Sequence, residues 1–158
     1  MKKFFYLLFL ISVLCIQVNA TGLADVKSSG RALISNWYNY TDGHTIFQFS
    51  NISTDTITVY VSLIAQDGTF FAGIQNWASS ALTSFATSGT NYSCCGVLAP
   101  NATAYIYTTQ ASPAKIGYGE IKWESSNSKI GTALIGQAIG LWSGGYTYYI
   151  PMNNGNPF

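Results

Sequence analysis

Residues 56–71, TITVYVSLIAQDGTFF, decide the fold class. Ile57, Val59, Val61 and Leu63 alternate with Thr58, Tyr60 and Ser62, the period of a strand with one face buried. Asp67-Gly68 supplies a favoured two-residue hairpin turn, and Thr69-Phe70-Phe71 returns from it. Just before, HTIFQFSNIS (44–53) sets Phe47 and Phe49 on one face and Gln48 and Ser50 on the other, with 51–55 as the connecting turn. Further strands are predicted over 103–109, 117–126, 131–142 and 146–151. The segment 131–142 also fits a helical face through Leu134, Ile135, Ala138 and Ile139. Gly131, Gly136 and Gly140 weigh against a helix there, at about 1 kcal/mol for each interior glycine.

Charged residues are only 8% of the chain while aromatics are 15%, so the sequence carries enough apolar surface to fold. Trp77, Ala81, Leu82 and Phe85 share a helical face, and a short helix or a long crossing loop over 75–87 fits equally well. Several short strands separated by turn signals, with no repeat and no linker, predict an all-β fold. The expected architecture is a single antiparallel β-sandwich, Ig-like or jelly-roll-like, with at most one short helix.

The first twenty residues have the three parts of a secretory signal peptide. Lys2 and Lys3 precede an apolar run from Phe4 to Ile16, and Val18-Asn19-Ala20 forms the cleavage site. The run is shorter than the roughly 20 residues a membrane-spanning helix needs. The expected product is one domain over 21–158, exported to the periplasm, cell surface or medium. Without the leader, five basic residues face six acidic ones, so the precursor's +1 becomes −1. No basic run remains to neutralise phosphates, which excludes nucleic acid as an expected partner.

Cys15 belongs to the leader, leaving Cys94 and Cys95 side by side in NYSCCGVLAP (91–100). Adjacent Cα atoms lie about 3.8 Å apart, closer than the usual span of a disulfide. A strained bond between the two, a bond to another chain and a pair of buried thiols all remain open. The preferred reading is a bonded pair that stiffens a loop ending in Gly96 and Pro100.

Catalytic constellations are sparse. Glu120 and Glu124 alternate with Ile121 and Trp123, which places both acids on the charged outer face of a strand, about 13 Å apart. His44 is the only histidine, and Asp42 would be its orienting acid in a triad. Asp42-Gly43 reads instead as a turn. No glycine loop suited to phosphates precedes a helix, and too few ligands accompany the cysteines for a metal. The expectation is a non-enzyme without cofactors or metals.

What remains is an aromatic surface. Tyr60, Tyr105, Tyr107, Tyr118, Tyr146 and Tyr148 fall on predicted strands, and NWYNY (36–40) adds Trp37, Tyr38 and Tyr40. Aromatics with a polar tip suit protein interfaces and also stack on sugar rings, whereas cross-strand pairing alone accounts for some of them. Asn39, Asn51, Asn91 and Asn101 open N-x-S/T triplets, which matter as glycosylation acceptors only in a host that glycosylates them.

Together, TIFQFSNISTDTITVYVSLIAQDGTFF, the Pro100-Asn101 turn, GYGEIKW and the ending GGYTYYIPMNNGNPF resemble small exported bacterial Ig-like β-sandwich domains. The layout is more remotely similar to the sandwich of sensory-rhodopsin transducer proteins. The resemblance implies the fold and carries no catalytic residue. The functional expectation is a non-catalytic structural or interaction subunit of the cell envelope, surface or an extracellular assembly, with a protein partner or self-association. A carbohydrate-binding module and an accessory subunit of a secretion-type envelope complex are the alternatives.

Overall fold

The computed structural model describes residues 27–89, 91–109, 113–145 and 147–158; the predicted leader, Cys15 and Tyr146 lie outside the described residues. Ten strands follow one another: β1 (Ser28–Tyr40), β2 (Gly43–Asn51), β3 (Ile57–Ala65), β4 (Ile74–Asn76), β5 (Thr83–Gly89), β6 (Tyr92–Leu98), β7 (Thr103–Thr108), β8 (Lys115–Ser125), β9 (Leu134–Trp142) and β10 (Thr147–Pro151). A single 3-10 turn, Met152–Gly155, comes after them. All the pairings are antiparallel.

One half of the sheet runs β1-β8-β3-β6-β5, and the other runs β10-β9-β2-β7-β4. They join where β1 turns into β2, through the pairs Asn39–His44 and Tyr40–Gly43. The two halves form an antiparallel sandwich around one core. The first contributes Ile34, Val61 and Trp123, and the second contributes Phe47, Phe49 and Ile106. In β3 every odd residue from Ile57 to Ala65 is buried, as the alternation requires. In β8, Ile121 and Trp123 point inward, while Glu120, Lys122 and Glu124 lie on the outer face. Residues 134–142 are a strand, as the glycine argument favoured.

The Asp67-Gly68 turn is present, with Gly68 at φ +80°, a conformation that costs a glycine little. Asp67 Oδ1 accepts from the Thr69 amide (3.1 Å) and hydroxyl (2.6 Å), and Lys115 Nζ lies 2.9 Å from its other oxygen. The Thr69 hydroxyl, followed by the Lys115 ammonium, holds this carboxyl well below the usual carboxylate range. The returning arm is only a bridge between Ile64 and Phe70.

Three segments differ from expectation. Residues 75–87 are neither a helix nor one crossing loop, because β4 and β5 occupy both ends. Only Leu82 among the supposed helical positions is fully buried, and β5 pairs with β6 instead. β1 was not expected as a strand, since a register break between Ile34 and Trp37 interrupts its alternation.

The third correction concerns the cysteines, which sit within β6 rather than in a loop, both as free thiols. Adjacent strand residues point to opposite faces, so Cys94 is buried opposite Val61 while the half-buried Cys95 lies opposite Tyr60. That divergence is incompatible with a bond between them. Gly96 resembled a loop residue but faces inward beneath Leu82, whose Cγ would lie 2.5 Å from an added Cβ. Burial pushes the Cys94 thiol far above its ordinary range, and the neighbouring Cys95 adds to the effect. Iodoacetamide on the native protein should therefore label Cys95 alone, with Cys94 following only after denaturation. Mass spectrometry reads the adducts, and a denatured protein with no free thiol would refute this arrangement.

Two of the N-x-S/T asparagines are structural. Asn51 Nδ2 donates to the carbonyls of Asp55 (2.8 Å), Leu98 (3.2 Å) and Ala99 (3.0 Å), while its Oδ1 accepts from Ser53. Buried Asn39 similarly bridges Thr109 and Lys115.

Candidate functional site

The predicted aromatics separate into three groups. Tyr60 packs against Tyr92 on the outside of the first half, with centroids 5.4 Å apart. Tyr105 and Tyr107 lie on the outside of the second half. Tyr105 accepts from Gln48 Nε2, and Tyr107 packs on His44 and Trp77. The third group, around Tyr38, lines a cleft.

This cleft lies at the end where β1 crosses into β2. Past the break in β1, Trp37 and Tyr38 point to opposite faces. Trp37 enters the core at 1% exposure, packs on Phe71 (4.7 Å), and donates from Nε1 to the Tyr118 carbonyl at 2.9 Å. Tyr38 faces the other way, yet it is only 5% exposed because β9 and β10 bring Trp142 and Tyr148 over it. Tyr148 stacks on Tyr38 at 5.6 Å and 25°. Trp142 leans on Tyr40 at 4.9 Å.

Sequence reading missed Trp142, which seemed only to end a strand. It is 40% exposed, but its indole is fixed: Nε1 donates to Asp42 Oδ2 at 2.9 Å. Tyr148 is 38% exposed. The cleft has a volume of about 370 Å³, and Asn36, Gln66, Ile116 and Gly117 complete its lining. Its lining includes no charged side chain. Tyr118, exposed on β8 two residues beyond Ile116, extends the apolar surface along the outer face.

No family model and no curated protein matches the chain. The site therefore has to be read from its own chemistry.

Burial among the rings, and after it the neighbouring Tyr38 phenol, push the Tyr148 hydroxyl up to about 12. Desolvation also raises Tyr38. Both phenols stay protonated at neutral pH and serve as hydrogen-bonding groups. The Tyr38 hydroxyl is buried, and its polar neighbour is the Tyr148 hydroxyl, which lies beside it outside strict hydrogen-bond geometry.

The residues considered for catalysis are placed elsewhere or engaged otherwise. Asp42 accepts from Trp142 and Ser143 rather than orienting His44. His44 is half-buried against Tyr107, and desolvation lowers its pKa. Glu124 is paired with Lys122 at 2.6 Å, and Glu120 with Arg31 at 3.8 Å.

Proposed function

We propose that the protein is an exported, non-catalytic binding subunit of the cell envelope, surface or an extracellular assembly, and that its partner docks in the aromatic cleft. The observation that carries this reading is the immobilised, exposed indole of Trp142. An aromatic side chain fixed before binding loses little conformational freedom on contact, and Trp and Tyr anchors dominate interface energetics. The uncharged lining favours a neutral, apolar protein segment over an ionic one. The export part rests on the leader sequence.

A glycan is the second reading, favoured by the Asn36 and Gln66 amides, groups able to bond sugar hydroxyls, which line the cleft together with its exposed rings. Binding at the cleft is tested with a photo-crosslinker placed at Tyr148 in the producing cells. Trp142→Ala should reduce the crosslinked protein adduct by about tenfold or more, the effect of losing an aromatic anchor. Crosslinking that Trp142→Ala leaves unchanged would remove the cleft from the partner contact. Absence of any protein adduct, with soluble oligosaccharides quenching tryptophan fluorescence in wild type but not in Trp142→Phe, would establish the glycan reading instead.

A further inference from the structure

Sheets that do not close leave strand edges, and soluble proteins blunt such edges to prevent unwanted pairing. Among the described residues this sandwich has four edge regions, and three are blunted. β4 has only three residues. β5 loses register with β6 between Thr83 and Ala86, where Ser84 takes φ +50°. β10 has five residues and ends in Pro151, which has no amide hydrogen to offer.

β1 is different. It pairs with β8 along most of its thirteen residues, but reaches β2 only at Asn39 and Tyr40. Over 28–36, its other edge pairs with no strand among the described residues. This stretch holds one charged residue, Arg31, and it displays Leu33 at 70% exposure. A cleft of about 630 Å³ runs beside it, with Ala32, Leu33 and Ser35 on one side and Ile150, Pro151 and Asn154 on the other. The edge is long and nearly uncharged, and it faces β10 and the Met152–Gly155 turn across this cleft.

We propose that the β1 edge is a self-association site at which β1 of a second copy adds antiparallel about a two-fold axis at Leu33. The register follows from the side chains. Pairing about Leu33 sets Leu33 against Leu33 and Ala32 against Ile34, so apolar residues meet apolar residues on both faces. Arg31 falls opposite Ser35, and the two arginines lie four residues apart along the strands, about 13 Å. Each Arg31 already has Glu120 of its own chain at 3.8 Å, so the copies meet without a like-charge conflict. The main-chain groups along both edges gain partners. A two-fold contact of one edge with itself closes at two copies and leaves no template for a fibre. β1-to-β5 pairing would be open-ended, and the irregular β5 edge disfavours it.

Sedimentation equilibrium of the purified, processed protein across a concentration series should show a monomer–dimer equilibrium. Leu33→Lys places two like charges directly opposite each other and should weaken association by about tenfold or more. Its exposure leaves the fold undisturbed, which circular dichroism checks; should that variant misfold, Ser35→Lys serves instead. Trp142→Ala should leave dimerisation unchanged. In a Cys95→Ser background, Leu33→Cys should form a reducible dimer under mild oxidation, whereas Thr87→Cys on β5 should not. A protein that stays monomeric throughout the series overturns the proposal. So does a dimer indifferent to charge at Leu33 and Ser35, or one lost only with Trp142.

Discussion

Trp123→Ala is expected to destabilise the protein by about 3–5 kcal/mol, the usual cost of deleting a large buried aromatic. Trp123 is fully buried near the C-terminal end of β8, opposite Gly30 of β1 and Val59 of β3. Its indole fills the space above Gly30, where an added Cβ would lie 2.4 Å from Nε1. That nitrogen donates to the Phe158 carbonyl at 2.8 Å, tying the final residues to the first half of the sandwich. The carbonyl also accepts from the Ala133 and Leu134 amides, so losing the indole does not leave it unpaired. Most of the cost is therefore a cavity that strands on both sides hold open. Against a typical total of about 5–15 kcal/mol, such a loss moves the urea midpoint strongly with little change in slope. Trp123→Phe should recover part of it. A Trp123→Ala variant within about 1 kcal/mol of wild type would contradict the central place of β8.

The strands most legible in the sequence were those whose alternation was uninterrupted. β3 shows it from end to end and β8 from Glu120 to Glu124, and in β9 the glycines decided between strand and helix. β1 was concealed by its register break, and β6 by Gly96 and the paired cysteines, which resemble a loop until neighbouring strands are in place. The Ser- and Thr-rich β5 has no apolar alternation to read; its pairing with β6 makes it a strand. The candidate site was legible as composition but not as place. Tyr38, Tyr40 and Tyr148 were visible as aromatics, yet nothing local showed that they converge. Convergence follows from long-range register: β2 pairs with β9, setting Gly43 opposite Trp142, and β9 pairs with β10, setting Gly140 opposite Tyr148. Alternation likewise cannot tell which aromatic a neighbouring strand will cover, which is why Trp37 and Tyr38 are buried while Trp142 is exposed.

Adding one methyl group at Gly117 should do nearly as much damage as removing the Trp123 indole. Gly117 lies between β1 and β3, paired with Trp37 on one side and Ala65 on the other. A Cβ there would sit 1.9 Å from the Ile64 carbonyl oxygen, 2.9 Å from its carbon and 3.0 Å from Ala65 Cα. All three are backbone atoms, so no rotamer change relieves the clash, and β3 and β8 have to separate locally. Overpacking of a core usually costs about 1–3 kcal/mol, and this case belongs at or above the upper end because ladder hydrogen bonds go with it. Gly117 also lines the cleft and pairs with Trp37 where the β1 register shifts. Gly117→Ala should therefore weaken the near-ultraviolet circular dichroism of the packed aromatic rings as well as lower the urea midpoint. Gly131 is the control: an added Cβ meets nothing within 4 Å, and its φ is not positive. Gly131→Ala should be neutral or stabilise by about 0.4–1 kcal/mol, through a less flexible unfolded chain. If Gly117→Ala unfolds at the wild-type midpoint with its aromatic signal intact, β3 and β8 do not meet in this register, and the cleft built upon it loses its floor.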